Sequence, residues 1–125
     1  MSELLIKGGT VIDGTGSPRY EADILVEDGK IKAVDTGLGT SQAARWIGLS
    51  DRGVVGEGMV ADLALFDLDH LECLPKEQNS DLPGGETRWV QRAAGVEGVL
   101  VAGTSTILQG RETGDLPGRV IRGTE

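Results

Sequence analysis

The chain has 125 residues, enough for one domain with a modest core, and its 26% charged and 38% hydrophobic content argues against a disordered or membrane protein. A net charge of −8 without a basic cluster predicts that neither nucleic acid nor an anionic membrane is a partner. Cys73 is the one cysteine, so no internal disulfide is expected. Because residues 1–5 also lack a signal-peptide pattern, we expect a cytoplasmic protein.

Short strands separated by glycine turns are the dominant pattern. The chain contains 20 glycines, scattered between short apolar runs, which favours an all-β fold over a helical bundle. Gly8-Gly9 lies between the runs Leu4–Lys7 and Thr10–Asp13, and this spacing predicts a tight hairpin. Residues 14–18 then form a loop.

The next two runs are predicted to form a second hairpin. Ala22–Glu27 is a strand pattern, and Lys30–Val34 alternates between polar and apolar residues. Asp28-Gly29 between them is the strongest short hairpin signal in the sequence. We expect Ile31 and Ala33 to face inward, with Lys30 and Lys32 in water.

A junction and a short helix follow. Residues 35–40 carry no apolar pattern, whereas Ala43–Ile47 suits one or two helical turns, capped by Thr40 or Ser41 and ended by Gly48. So short a helix needs tertiary support, so we expect Trp46 and Ile47 to be buried against the sheet. Residues 51–58 form a turn-rich connector.

The central element is the apolar run that follows Gly58 and ends at Asp67. Ala61, Leu63 and Leu65 would point to one face of this strand, and Ala64 and Phe66 to the other. Its form repeats that of Ala22–Glu27, so we expect the two to share one sheet.

The remaining elements are shorter. Residues 68–74 are ambiguous between strand and loop, 75–85 form a surface loop, and 88–92 form a short strand or extended segment. Val96–Ala102 and Thr104–Leu108 are strands joined at Gly103. Residues 110–118 close the chain, and Val120-Ile121 adds a last short strand. About eight strands and one helix are expected.

Few residues could support catalysis. A polar cluster follows the central strand: Asp67, Asp69, His70, Glu72 and Cys73. A catalytic zinc site needs about three protein ligands around an open position, and His70 is the one histidine. We therefore interpret the cluster as an exposed acidic turn, and Cys73 as a small core residue rather than a nucleophile.

Other polar patterns have structural explanations too. Gly14-Thr15-Gly16 lacks the helix and lysine of a phosphate loop, so it is a turn. Asp23 and Asp62 occupy matching positions in the two similar strands. They are either paired carboxylates or acceptors for nearby turn amides, and the second is favoured. Arg111, Arg119 and Arg122 form a loose basic end, solvated or in salt bridges.

The order of several short motifs resembles the amidohydrolase superfamily. Gly8 to Gly16, Ala22-Asp23-Ile24 and Asp28 to Ile31 resemble its amino terminus. The carboxyl-terminal part is matched by these segments: Ala44-Arg45, Gly48-Leu49, Asp51-Arg52-Gly53, Gly58, Ala61-Asp62-Leu63 and Phe66-Asp67. Leu82 to Gly85, Gly114 and Leu116 to Arg119 resemble the N-acyl-D-amino-acid deacylase (D-aminoacylase) branch.

The resemblance implies a fold and a missing part. The family combines a metal-dependent (β/α)₈ barrel with a composite β domain, a small β-sandwich or distorted barrel like that of the urease alpha subunit. Residues 1–39 and 40–125 resemble the two halves of that one domain, and the barrel, with its metal ligands and catalytic Asp, would belong at the seam between them. We therefore assign no catalytic, cofactor-binding or metal-binding residue, and no cofactor, to this chain.

Three functional interpretations remain open. The first is a non-catalytic composite domain without a barrel, and the second is a subunit of a split hydrolase whose barrel is another chain. The third is an independent binding or scaffold module. For the first two, loss of barrel cover around Trp46 and Ile47 predicts self-association as a dimer or docking of a separate barrel chain.

Overall fold

The computed structural model describes residues 3–34, 44 and 46–122, and this part of the chain is all-β, as expected. Its strands are antiparallel and form four sheets. The strands are β1 (Glu3–Val11), β2 (Tyr20–Glu27), β3 (Lys30–Val34), β4 (Leu63–Phe66), β5 (Glu72–Cys73), β6 (Glu77–Asn79), β7 (Arg88–Val90), β8 (Ala93–Ala94), β9 (Val96–Val101), β10 (Thr104–Leu108) and β11 (Arg111–Glu112).

The first sheet has the order β1-β2-β3. Asp28 and Gly29 join β2 to β3 with φ values of 51° and 79°. Two consecutive positive φ values are the mark of a type I′ turn, whose twist matches that of the strands it connects. The predicted Asp-Gly hairpin is therefore confirmed.

The predicted hairpin at Gly8-Gly9 is wrong. β1 runs unbroken through both glycines, and its pairing with β2 shifts between Ile6 and Gly9, which marks a β-bulge. Gly8 supplies the positive φ of 62°, and its N–H donates to Oδ1 of Asp23 at 2.8 Å. The glycine conformation is used to insert an extra residue into a strand, not to reverse the chain.

A second bulge corrects the expected orientation of Ala33. Ile31 pairs with Val26 and Ala33 pairs with Leu25, so Lys32 is an extra residue on β3. After this extra residue the inward and outward positions of β3 are exchanged, because a shift of one residue moves each side chain to the other face of a strand. Ile31 and Val34 are buried as a result, and Ala33 is exposed.

The second sheet has the order β11-β10-β9-β4. It does not include β2, so the expectation that Ala22–Glu27 and Ala61–Phe66 share one sheet is wrong. The two sheets are joined instead by residues 58–61, which run along the outer edge of β3. Ile31 N–H donates to Met59 O at 2.9 Å, and Ala61 N–H donates to Gly29 O at 2.9 Å.

The core lies between these two sheets and draws on both sides of the predicted seam. Ile31 (1% exposed) and Ala61 (0% exposed) are its most enclosed members among the residues described. The other buried members of the cluster are Val11, Ile24, Val26, Val34 and Leu100. The predicted seam itself, at Gly39 and Thr40, lies outside the described residues.

Two small ribbons cover residues 72–94. β5 pairs with β8, and β6 pairs with β7. The surface loop expected over 75–85 therefore contains a strand, β6, and a 3₁₀ turn at Pro83–Gly85. The extended segment expected at 88–92 is confirmed as β7. Arg88 closes the ribbon's connection with two hydrogen bonds of 2.7 Å to the Asp81 carboxylate.

The expected short helix is described only in part, because most of 40–45 lies outside the described residues. Ala44 and Trp46 are helical, and Gly48 has φ of 75°. Leu49 N–H donates to Ala44 O at 2.9 Å, the long-range bond of a Schellman ending, so the predicted stop at Gly48 is confirmed. The expected burial of this end is wrong: Trp46 is 94% exposed and Ile47 is exposed too, while Ala44 is the buried residue.

The last predicted strand is also wrong. Residues 113–122 include no strand, and Val120 is largely exposed, although the β-branched pair Val120-Ile121 has strand-forming character. Side-chain preference does not suffice here, since within the described chain these residues pair with no strand.

The joint between the two sheets is testable at Gly29. A Cβ at this position would meet Ala102 O at 2.8 Å, whereas a Cβ at Gly58, with a similar φ of +81°, would meet no atom within 4 Å. Both Gly→Ala substitutions carry a left-handed backbone cost of roughly 1–2 kcal/mol. We expect Gly29→Ala to lower the free energy of unfolding by at least about 1 kcal/mol more than Gly58→Ala, measured by urea denaturation. Equal losses would show that the contact with Ala102 is unimportant.

Candidate functional site

The acidic turn after β4 is held by the hydrogen bonds of its first residue, Asp67. The Asp67 carboxylate accepts the Asp69 N–H at 3.0 Å through Oδ1, and its Oδ2 lies 2.7 Å from Nδ1 of His70. Asp67 N–H donates to Gly95 O at 2.8 Å, which fixes the turn to the start of β9. A Cβ on Gly95 would lie 2.7 Å from the His70 backbone, so the turn packs directly on that glycine.

The remaining members of the predicted polar cluster lie elsewhere in the secondary structure. Glu72 and Cys73 form β5, pair with Ala94 and Ala93, and are exposed. The interpretation of Cys73 as a core residue is therefore wrong, because the two-residue strand is not covered. Across residues 3–34, 44 and 46–122, no group of three or more His, Cys, Asp or Glu side chains is placed to hold a metal ion.

Asp23 and Asp62 accept backbone amides, as favoured from the sequence. Asp23 accepts the Gly8 N–H at the bulge in β1. Asp62 accepts the Ala102 N–H at 2.8 Å through Oδ1, and so secures the turn between β9 and β10. Each carboxylate holds a different strand irregularity, so neither side chain needs the other as a partner.

Arg52 is a structural cation that the sequence reading missed. It lies between two carboxylates, with Nη1 2.6 Å from Asp62 Oδ2 and Nε 3.0 Å from Asp51 Oδ1, and its side chain is 12% exposed. The hydrogen bond from Arg52 holds the pKa of Asp51 below its ordinary value. The spacing of Asp51-Arg52 from Asp62 was visible in the sequence, but the connector between them gave no sign that it folds back.

The turn at residues 13–17 is likewise structural. Asp13 is buried, and its Oδ1 accepts both the backbone N–H and the hydroxyl of Thr15, at 2.9 and 2.8 Å. Gly14 packs so close to Gly53 that a Cβ would clash with Gly53 O. The prediction that Gly14-Thr15-Gly16 is a turn is confirmed.

A groove of about 540 Å³ between the first two sheets is a feature that the sequence did not predict. Its walls are residues 6–12, mostly of β1, and residues 63–68, which include β4; Ala22, Ile24 and Val55 line it between them. Four charged side chains also line it: Lys7, Arg19, Asp67 and Glu97. Most of the lining is apolar, which suits binding rather than acid–base chemistry.

Glu97 reaches this groove because of a bulge. Phe66 pairs with Val96 and Leu65 pairs with Gly98, which leaves Glu97 as the extra residue of β9. Bulges commonly re-aim one side chain in this way. Glu97 is exposed, and within the described part of the chain no salt bridge engages its carboxylate.

Comparison of this chain with protein-family models, with curated proteins and with solved structures gives no match. No helix within the described ranges has the length and apolar character needed to cross a membrane.

Substitution at Asp62 tests its structural role. Asp62→Ala removes the acceptor of the Ala102 N–H and one partner of Arg52, and we expect it to cost roughly 1–3 kcal/mol of unfolding free energy. Asp62→Asn keeps an oxygen acceptor and should cost less. Thermal or urea denaturation of both variants measures the difference, and an unchanged stability in Asp62→Ala would contradict the assignment.

The Asp67–His70 pair predicts a pH dependence. The hydrogen bond from His70 lowers the pKa of Asp67 below its ordinary value of 3.8. Such a depressed pKa contributes stability that is present above the ordinary value and is lost as pH falls through the lower, folded one. Both side chains are well exposed, so we expect the effect on stability to be small.

Carboxyl chemical shifts followed by NMR should place the Asp67 midpoint below 3.8 and return it toward that value in His70→Ala. Asp81 in the same spectra is the internal control, since the hydrogen bond that lowers its pKa comes from Arg88 and not from His70. A midpoint for Asp67 that does not respond to the substitution would show that the pair does not form in solution.

Proposed function

We propose that this chain is a non-catalytic composite β domain of the amidohydrolase type, of the D-aminoacylase branch, without its barrel. The observation that supports this best is the shared core. Ile31 and Val26, from before the predicted seam, pack with Ala61 and Leu100, from after it. A composite domain needs this arrangement, since its two halves must close one core although a barrel separates them in sequence.

The use of the carboxylates also favours a non-catalytic role. Asp23, Asp62 and Asp67 each accept a backbone amide that fixes a bulge or a turn. A general acid or base must instead present its carboxyl group to a substrate, with a pKa near the working pH. The shifts of Asp51 and Asp67 run the other way, because hydrogen bonds from Arg52 and His70 lower their pKa values.

Insertion at the seam tests the proposal. A barrel's place in the sequence should accept other long insertions, because each doubling of a flexible connection costs only about 0.6 kcal/mol. We expect a Gly/Ser segment of about 30 residues after Gly39 to lower the unfolding free energy by roughly 1–2 kcal/mol and to leave the far-UV circular dichroism spectrum unchanged.

The matched control places the same segment between Asp28 and Gly29. That turn is held by the bond from Ala61 N–H to Gly29 O and by the close approach of Gly29 to Ala102, so the insertion should be much more damaging. Equal damage at both positions would contradict a composite domain with its seam at Gly39. So would about one tightly held zinc per purified chain, or turnover of N-acyl-D-amino acids by the chain alone.

A second candidate is a subunit of a split amide hydrolase. The exposed side chains of Trp46 and Ile47 favour it, because apolar surface at that position would suit a docked barrel chain or a second copy. We place this assembly in the cytoplasm, where a free thiol such as that of Cys73 remains reduced. A barrel chain that copurifies and supplies hydrolysis on mixing would establish this candidate over the first.

A further inference from the structure

The groove between the first two sheets is bounded by two strand edges. Its lining takes consecutive residues from 6–12 and from 63–68, but only alternate residues, Ala22 and Ile24, from β2. Alternate residues belong to one face of a strand, whereas consecutive residues are reached along its edge. Within the described chain β1 pairs with β2 alone and β4 with β9 alone, so the edges toward the groove are unpaired.

The edge of β4 has the features of an incomplete sheet. Leu63 and Leu65 are half-buried toward the core, while Ala64 and Phe66 are exposed on the opposite face. An exposed strand edge presents unpaired N–H and C=O groups that can recruit another strand. A strand added here would satisfy those groups and cover apolar surface on both faces.

The chain carries a segment suited to this edge. Arg119–Arg122 contains two adjacent β-branched residues, and Val120 is 85% exposed and Ile121 46% exposed. Its four residues equal β4 in length, and consecutive side chains of an added strand point to opposite faces. One of the pair Val120 and Ile121 would lie on the face of Leu63 and Leu65, toward the core, and the other on the exposed face of Ala64 and Phe66.

We propose that Arg119–Arg122 of a second copy adds as a strand to the free edge of β4, and that two copies exchange these segments reciprocally. A reciprocal exchange is a closed twofold arrangement, in which each copy gives and receives the same strand. Main-chain hydrogen bonds then supply affinity, and the groove supplies side-chain selection, as in other cases of strand addition.

The distribution of charge favours Arg119–Arg122 as the added strand and the edge of β4, not that of β1, as its site. Two copies with a net charge of −8 each repel one another, but Arg119 and Arg122 give this segment a local positive charge. The β4 side of the groove carries Asp67, which is paired with His70, and Glu97, whose carboxylate has no salt bridge among the described residues. The opposite side carries Lys7 and Arg19, which would repel the segment from the edge of β1.

The segment can be released from its own chain at low cost. Residues 113–122 contain no strand, so no β-ladder holds the segment in its own chain. In its own chain Arg119 is near Asp51, where it adds to the larger effect of Arg52 in lowering the carboxyl pKa. That interaction is exposed, and an exposed ion pair contributes little to hold the segment back.

Sedimentation equilibrium of the full chain over a range of concentrations tests the proposal. We expect a concentration-dependent dimer that the double substitution Val120→Asp, Ile121→Asp weakens by at least about tenfold. Leu116→Asp is the control, since Leu116 is exposed and lies outside the proposed strand Arg119–Arg122. It should leave the dimer unchanged, and circular dichroism of both variants should show the wild-type fold.

Hydrogen exchange locates the contact independently of any variant. In the dimer, the β4 amides that face away from β9 should gain protection, and those on the outer edge of β1 should not. A synthetic peptide of residues 115–122 should compete, shifting the wild-type chain to monomer and protecting the same β4 amides.

Three results would overturn the proposal: a monomer at every concentration, a dimer insensitive to the double substitution, or protection confined to β1. The variant Trp46→Ala separates this inference from the docking surface proposed above. A dimer lost in Trp46→Ala but kept in Val120→Asp, Ile121→Asp would support that surface and reject strand exchange. Neither result depends on whether the chain is a composite amidohydrolase domain.

Discussion

The structure depends on the joint at which residues 58–61 meet the edge of β3. Ile31 exchanges bonds with this segment, donating to Met59 O and accepting from Gly58 N–H, while Ala61 bonds to Gly29. Ala61 also accepts the Gly103 N–H, and it is wholly buried where the two sheets come together. One short run of backbone thus connects the hairpin of the first sheet to the hairpin of the second, and the core cluster lies around that connection. Nothing larger than glycine fits at Gly29 or Gly103 without displacing backbone.

Carboxylates support this framework at one bulge, one loop and one turn. Asp23 serves the bulge of β1, Asp13 the loop before β2, and Asp62 the turn after β9. Arg52 then neutralises Asp62 at a position that is mostly covered, which avoids the cost of an unpaired charge there. These three carboxylates therefore contribute to the fold by accepting hydrogen bonds from backbone amides.

The parts of the fold that could be predicted from the sequence are those determined by residues close together along the chain. The Asp28-Gly29 turn and the strands β2, β9 and β10 could be predicted, because turn chemistry and apolar runs act between neighbours in sequence. The role of Gly8 could not, since a glycine with positive φ serves a turn or a bulge equally well and the choice depends on what β2 offers opposite. The inward orientation expected for Ala33 was wrong for the same reason, because the bulge at Lys32 depends on the pairing of β3 with β2. The groove could not be predicted either, because it depends on residues distant in sequence, from strands of two separate sheets.

The bulge of β1 has a consequence for how this chain can change over evolutionary time. Ile6 packs against the core cluster and Val11 belongs to it, although five positions separate them, an odd number that regular alternation would place on opposite faces. The extra residue near Gly8 corrects the phase between the two ends of the strand. Loss of a single codon there would leave every side chain chemically intact, yet one end of β1 would turn its apolar residues to water. Gene variants that alter the length of this strand should therefore be far rarer than variants that alter its residues.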